Sequence, residues 1–175
     1  LPLAPAMARH KAEGNLVTLI LRSQGPVRNV AMDTGTGCIL DLRNALGTNH
    51  PDQFQFTGLY IVEPSFFHYL PRRGTIESVV QAWLRAIAAG ERLGGAVIDD
   101  GLWLDLGDRA SYLEAHRIIQ PEVKIHPSAR IADTAEIDTA SSIGAGCVVE
   151  EGAGIHGSGV WPRARVTAGT RVSGW

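Results

Sequence analysis

Residues 125–155 read IHPSARIADTAEIDTASSIGAGCVVEEGAGI and carry one aliphatic residue at every sixth position. The aliphatic positions are Ile125, Ile131, Ile137, Ile143, Val149 and Ile155, and a small residue follows each of them after four positions. This spacing fits neither the period of about 3.6 residues of an α-helix nor the period of about two residues of a strand. It is typical of stacked repeats in which each repeat supplies one short strand and one turn. We therefore predict a parallel β-helix with three hexapeptides in each coil.

The repeat loses one residue after Ile155. The next aliphatic positions are Val160, Val166 and Val172. We therefore expect a distorted corner near residues 157–161. Over roughly residues 123–175 the sequence resembles the left-handed β-helix of hexapeptide-repeat proteins.

The composition of the 175-residue chain is that of a folded protein with one ordinary domain or two small ones, since 45 % of its residues are hydrophobic and 19 % charged. A formal net charge of −2 provides no broad basic surface, so we expect no nucleic-acid partner. The apolar stretches are much shorter than the roughly 20 residues that cross a bilayer, and residues 1–5 lack the pattern of a signal peptide. We predict a soluble, cytoplasmic protein with no membrane partner.

The first two thirds of the chain alternate strand-like and helix-like segments. Residues 15–21 are almost continuously apolar, as in a strand that is covered on both faces, and residues 54–62 are predicted to form another strand. Residues 27–32 and 38–42 flank the sequence DTGTG, whose glycines favour a tight reversal. These segments predict a hairpin and two buried strands of an α/β sheet.

Two helices and a pair of short strands complete this region. The apolar periodicity predicts a helix over residues 76–89 with Thr75 as its N-cap. Short strands are expected over residues 96–98 and 102–104, and Asp108 is expected to cap a last helix. Pro121 would end that helix and open the repeat region.

Two motifs carry a resemblance to a known family: FTGLYIVEPSFFHYLP at residues 56–71 and GLWLDLGDRASYLEAHR at residues 101–117. They resemble the second half of the catalytic domain of nucleotide-sugar pyrophosphorylases, which join a nucleoside triphosphate to a sugar 1-phosphate and release pyrophosphate. Several branches, mannose-1-phosphate guanylyltransferases among them, carry a hexapeptide β-helix after that domain. The resemblance implies a partial Rossmann-like α/β domain over residues 1–121 and a left-handed parallel β-helix over residues 122–175. GTP and mannose 1-phosphate are the leading substrate pair.

The resemblance also implies a metal site at Asp105. Transfer to a phosphate oxygen gathers negative charge, and Mg²⁺, usually held by one or two carboxylates together with substrate phosphates, neutralises it. Asp105 matches the family's aspartate at the end of a strand, which is one of those carboxylates. The alternative is a carboxylate that hydrogen-bonds the turn at Gly107 and Asp108.

Three further residues match the side of the site that binds the sugar. Thr57 and Gly58 match the end of the family's sugar-binding strand, where glycine lets a sugar approach the backbone. A glycine inside a strand also marks a bulge without any ligand, and this alternative stays open. Glu63 follows the same strand and is a candidate substrate contact.

The sequence departs from the family in two places. The glycine-rich nucleotide loop is absent, and so is the aspartate that would complete the metal site. Where many members carry Glu-Lys-Pro, this chain reads LRNAL at residues 42–46. Arg43 is a candidate catalytic residue there, because guanidinium pairs with two phosphate oxygens at once, although it could equally be a solvated arginine.

Two alternative functions remain open from the sequence. One is a non-catalytic regulatory or assembly subunit of the same family that binds a nucleotide sugar. The other is a hexapeptide acyltransferase that uses His126 or His156 as its base. We also expect residues 15–21 and 54–62 to lack neighbouring strands, because the chain starts without methionine and reads as a fragment. Such a sheet would be completed by a missing N-terminal segment or by other copies of the chain.

Overall fold

The computed structural model describes residues 2–71, 74–119 and 124–174. The chain divides into two compact units, Leu1–Trp103 and Leu104–Trp175. The described part of the first unit contains helices α1 (Ala4–Ala12) and α2 (Val79–Ala88), a 3₁₀ helix (Pro64–Tyr69), and strands β1 (Val17–Arg22), β2 (Arg28–Met32), β3 (Ile39–Leu42), β4 (Gln53–Val62) and β5 (Leu93–Val97). The described part of the second contains helix α3 (Arg109–Ile119) and strands β6 (Lys124–Ile125), β7 (Arg130–Ile131), β8 (Glu136–Ile137), β9 (Ser142–Ile143), β10 (Val148–Val149), β11 (Gly154–His156), β12 (Gly159–Val160), β13 (Arg165–Val166) and β14 (Arg171–Ser173). The expected boundary at residues 121 and 122, with Pro121, lies outside the described residues.

A mixed five-stranded sheet in the order β3-β2-β4-β1-β5 forms the centre of the first unit. Only β1 and β5 run parallel, and every other pair of neighbours is antiparallel. The expectation of a partial Rossmann-like domain with a parallel sheet is therefore wrong. The physical reason lies in the connections: residues 33–37 form the turn between β2 and β3, residues 43–52 connect β3 to β4, and both connections are shorter than the crossover of about a dozen residues that a parallel neighbour needs. The hairpin of β2 and β3 around the DTGTG turn is confirmed.

Strands β1 and β4 are central strands of this sheet. They pair with each other, and β5 and β2 cover their outer edges. Val17, Leu19 and Leu21 of β1 are fully buried. The expectation that these strands lack neighbours is therefore wrong, because it assumed a parallel order in which β1 and β4 could not face each other.

Helix α2 packs its apolar face onto the sheet through Trp83, which is fully buried. The helix starts later than its sequence periodicity predicts, because Ser78 caps it with a side-chain oxygen that accepts from the Val80 N–H. The predicted cap at Thr75 is wrong, and Ile76 is fully exposed. In the second unit Asp108 caps α3 as predicted, since its carboxylate accepts from the Ser111 N–H at 2.8 Å. Among the described residues, no helix has the length and apolar character needed to cross a membrane.

The hexapeptide repeat forms three separate three-stranded parallel sheets, in the orders β12-β9-β6, β13-β10-β7 and β14-β11-β8. The predicted left-handed β-helix is not shown, because the described strands form no closed or solenoid sheet. Each strand has only two or three residues. A turn then ends the strand, and the chain continues into a strand of a different sheet. The six-residue period thus predicted which short strands recur, but not how their sheets close. The aliphatic positions do form a core, with Ile143, Val149 and Ile155 buried.

The corner after β11 is shorter than the others. Residues 157 and 158 alone connect β11 to β12, whereas four residues connect β10 to β11 and β12 to β13. Accordingly, Ile125 pairs with Ile143 eighteen positions later, but Ile143 pairs with Val160 after only seventeen. The expected distortion near residues 157–161 is confirmed.

Candidate functional site

Strand β4 bulges at the residues that the sequence singles out for the sugar. The pairing of β1 with β4 shifts at Ile20, so that residues 57–59 stand opposite Ile20 alone. The Thr57 hydroxyl donates to the Ile20 carbonyl oxygen at 2.9 Å, and the Thr57 side chain is almost completely buried. The hydroxyl of Thr57 therefore fixes the bulge from inside the sheet.

Gly58 occupies the centre of the bulge with a φ of +87°. This conformation is strained for residues that carry a Cβ, which explains the glycine without any ligand. A Cβ at Gly58 would meet no atom within 4 Å among the described residues, and Gly58 is exposed. The backbone at this point is thus open to an approaching molecule, and the proposed role of Gly58 in sugar binding stays a prediction.

Trp103 connects the two motifs that carry the family resemblance. Its indole Nε1 donates to the Thr57 carbonyl oxygen at 3.0 Å. Two hydrogen bonds therefore fix Thr57 in the bulge. Its carbonyl oxygen accepts from Trp103, and its hydroxyl donates to Ile20 on the neighbouring strand. Trp103 belongs to the motif at residues 101–117, but the sequence does not reveal its contact with Thr57, because 46 residues separate the two partners.

Glu63 follows β4 and pairs with a buried histidine that the sequence reasoning missed. The His10 Nε2 lies 3.1 Å from the Glu63 Oε1, and its Nδ1 lies 2.9 Å from the Thr18 hydroxyl. His10 is 2 % exposed, whereas the Glu63 side chain is 52 % exposed. Glu63 therefore has a structural partner as well as an open face. No local pattern could identify His10, because its partner lies on another element of the chain.

Arg43 lies away from these residues, directly after the edge strand β3. Its backbone N–H donates to the Asn29 carbonyl oxygen at 2.7 Å, and its side chain lines an open cleft of about 630 Å³. Strand β2 separates β3 from β4 in the sheet. The described residues that line this cleft do not include Thr57, Gly58 or Glu63. The predicted substrate residues therefore occupy three places in the first unit.

Asp105 lies in a segment, residues 102–107, that has no regular secondary structure. The strand predicted over residues 102–104 is wrong, because the indole of Trp103, and not a backbone ladder, attaches this segment. The Asp105 carboxylate is exposed and makes no hydrogen bond or ion pair with another described residue, so the alternative, a bond to the turn at Gly107 and Asp108, is absent. An exposed carboxylate without a partner fits the role of a single Mg²⁺ ligand, which is completed by phosphates and water. Among the described residues, no group of three or more His, Cys, Asp or Glu side chains could hold a metal by itself.

The two histidines of the acyltransferase alternative lie in different surroundings. His126 lines an open, mainly apolar groove of about 560 Å³ in the second unit, together with Tyr112, His116 and Trp161. The His126 Nδ1 lies 2.9 Å from the Ser128 hydroxyl. His156 is half-buried and does not line this groove.

No protein-family model matches the chain, and the search of curated proteins gives no match either.

Proposed function

We propose that this chain provides the sugar-phosphate side of a nucleotidyltransferase. In the complete protein it would transfer a nucleotidyl group from a nucleoside triphosphate to a sugar 1-phosphate and release pyrophosphate, with GTP and mannose 1-phosphate as the first pair to test. One observation carries the proposal: the hydrogen bond from Trp103 to Thr57 unites the two motifs that resemble the pyrophosphorylases. This contact brings Trp103 of one motif against Thr57 of the other, which supports a common role for the two residues.

The bulge of β4 is the part of the chain that would contact the sugar. Thr57 is fixed from both sides, so the backbone at Gly58 has a defined position before any ligand binds. A preorganised backbone loses little entropy when a sugar hydroxyl binds to it. Gly58 is exposed, and a Cβ built there would meet no described atom within 4 Å, so the strand surface is open at this residue.

The phosphates would be neutralised by Mg²⁺ and by arginine. Asp105 would hold the metal, which when bound lowers the cost of the negative charge that develops during transfer. Arg43 remains the candidate side chain for the sugar phosphate. The triphosphate itself would be held by another copy of the chain in a homo-oligomer or by a longer form of the protein, and we place the reaction in the cytoplasm.

Calorimetric titration of the whole chain with mannose 1-phosphate tests the proposal. We expect saturable binding that is tighter than that of inorganic phosphate, and weaker in Trp103→Phe, which loses the bond to the bulge. Trp161→Phe is the matched control, because the Trp161 side chain is 69 % exposed and its indole makes no hydrogen bond to the described residues. Failure to bind any hexose 1-phosphate would overturn the proposal. Binding without pyrophosphate release from GTP in the complete protein would assign the chain to the non-catalytic alternative.

A second candidate function, acyl transfer, is favoured by the position of His126 in the groove of the second unit. A histidine beside an apolar pocket can take a proton from an acceptor amine. Release of free coenzyme A from acetyl-coenzyme A in the presence of an amino sugar would support it, provided that His126→Asn loses this activity. Equal rates in both proteins would exclude it.

A further inference from the structure

The cleft beside Arg43 has the composition of an anion-binding site. Two arginines, one histidine and several amides line it, chiefly Arg28, Arg43, Asn44, Asn49, His50 and Gln53. Among the described residues, no acidic side chain lines the cleft. The local charge is therefore positive in a protein whose formal net charge is −2.

Both guanidinium groups of the cleft are available to a ligand. Neither Arg28 nor Arg43 makes a side-chain hydrogen bond or an ion pair with another described residue. Arg85 shows the contrast, since its guanidinium is engaged by Glu77 and by the Tyr69 carbonyl oxygen. A planar guanidinium without a partner presents parallel N–H donors that match two oxygens of a phosphate group.

His50 presents a further donor. The Asp52 backbone N–H donates to the His50 Nδ1 at 3.3 Å, so in the neutral ring Nδ1 is the acceptor and the proton is on Nε2. The remaining nitrogen of His50 is therefore an N–H donor whether the ring is neutral or charged. The donors of the cleft thus come from β2, from the end of β3 and from the loop that precedes β4.

The backbone of this loop is strained at the residues that line the cleft. The described residues contain four non-glycine residues with positive φ, and three of them lie here: Arg43 at 58°, Asn44 at 53° and Asn49 at 49°. The fourth is Arg163, in the second unit. Such conformations persist only where the surroundings determine them, and they concentrate at ligand-binding sites.

The buried carboxylate of Asp41 fixes the conformation of the loop after β3 by hydrogen bonds to residues 42–48. This carboxylate is fully buried and accepts from the N–H groups of Leu42, Leu46 and Thr48, and from the Thr48 hydroxyl, at 2.7–3.2 Å. Asn44 and Asn49 close the loop on its outer side, since each donates to the side-chain oxygen of the other at 2.9 Å. The loop is thus formed before a ligand arrives, and the arginine at its start is held in place.

We propose that this cleft binds a phosphate group, either as inorganic phosphate or as the phosphate of a monoester. The tetrahedral anion would lie between the Arg28 and Arg43 guanidinium groups, with His50 as a third donor. This inference rests on the proposed function, which assigns Arg43 to the sugar phosphate, and it adds Arg28 and His50 as the residues that would complete that phosphate site.

Titration of the whole chain, followed by the ¹H–¹⁵N NMR spectrum at constant ionic strength, tests the site. One arm uses inorganic phosphate and the other uses mannose 1-phosphate. We expect saturable shifts of the amides of residues 42–50, and a Kd that rises roughly ten- to hundredfold in Arg28→Gln and in Arg43→Gln. Arg163→Gln is the matched control, since it removes the same charge from the other arginine with positive φ. The spectrum of each variant also reports whether it is folded.

Several results would overturn the site: no saturable shift with either ligand, shifts only outside the cleft, or equal weakening by Arg163→Gln and Arg43→Gln. Equal Kd values for the two ligands would assign the cleft to phosphate itself, whereas a lower Kd for mannose 1-phosphate would assign it to monoesters. The arginine variants leave Trp103 and the β4 bulge unchanged. Shifts by mannose 1-phosphate only outside the cleft would overturn the site but leave the proposed function standing with another phosphate contact in place of Arg43. Binding of inorganic phosphate in the cleft without any binding of mannose 1-phosphate would support the site and overturn the proposed function.

Discussion

The indole Nε1 of Trp103 donates to the carbonyl oxygen of Thr57 at 3.0 Å and thereby attaches a segment without regular secondary structure to the middle of a β-sheet. The same threonine donates its hydroxyl to Ile20 on the neighbouring strand. Thr57 therefore links β1, β4 and the segment that leads to Asp105 in the sequence. This relationship makes the bulge, and not the ends of the strands, the part of the sheet to probe by mutation.

Trp103→Phe should lower the free energy of unfolding by about 1 kcal/mol, because the phenyl ring keeps the packing but leaves the Thr57 carbonyl without its donor. Urea unfolding followed by circular dichroism measures the change. Trp161→Phe should be close to neutral, since that side chain is exposed. Equal losses in the two variants would show that the hydrogen bond contributes nothing.

Gly58→Ala should lower the free energy of unfolding by roughly 1–3 kcal/mol, because alanine does not readily adopt a φ of +87°. The cost comes from the backbone, since space for a Cβ is open. Gly107→Ala is the control, because Gly107 has ordinary φ and a Cβ there makes only a van der Waals contact. If Gly58→Ala were as stable as the original protein, the bulge would not depend on glycine.

Asp105→Asn should leave the free energy of unfolding unchanged but lower nucleotidyl transfer by the complete protein by at least about 100-fold. Stability should not change, because the Asp105 carboxylate has no partner among the described residues. Turnover should fall, because asparagine lacks the negative charge with which Asp105 would bind Mg²⁺. Pyrophosphate release measures the rate. Asp100→Asn, in the preceding turn, is the control, and unchanged turnover in Asp105→Asn would remove this residue from the metal site.

Stability should fall in acid as Asp41 becomes protonated. Burial raises the pKa of Asp41, but hydrogen bonds from the N–H groups of Leu46, Thr48 and Leu42, and from the Thr48 hydroxyl, outweigh it, so that the pKa lies below its ordinary value. A lowered pKa in the folded state adds stability above the pKa of the unfolded chain, and this contribution is lost as the pH falls through the folded value.

The variant Asp41→Asn should therefore cost roughly 2 kcal/mol at pH 7 and lose less stability than the original protein between about pH 5 and pH 2. Urea unfolding over this range measures the difference. Asp133→Asn, at an exposed position, is the control for the removal of one carboxylate. Parallel pH curves for Asp41→Asn and the original protein would contradict the assignment.

Local features of the fold followed from the sequence, whereas pairings between distant segments did not. The DTGTG hairpin, the cap at Asp108 and the short corner after Ile155 each depend on a few adjacent residues, and the structure contains all three. The place of β4 between β1 and β2 depends on segments far apart in the chain. Strand periodicity is the same for parallel and antiparallel neighbours, so the order of the sheet could not be deduced.

The same distinction applies to the candidate sites. Gly58 was identifiable because glycine inside a strand is a local signal of a bulge. The cleft at Arg43 was not, because Asn44 and Asn49 adopt positive φ only where the buried Asp41 carboxylate gathers the N–H groups of the loop. His10 likewise acquires its significance from Glu63, which belongs to another element.

The corner at residues 157 and 158 makes the repeats of the second unit unequal as building blocks. A block of eighteen residues, from Ile125 to the residue before Ile143, returns the chain to the same sheet, while the next return takes seventeen. Exchanging one block for the other would shift every later residue by one position, and in a strand that turns an inward side chain outward. Lengthening or shortening of this unit by duplication is therefore restricted to copies that begin and end on the same side of that corner.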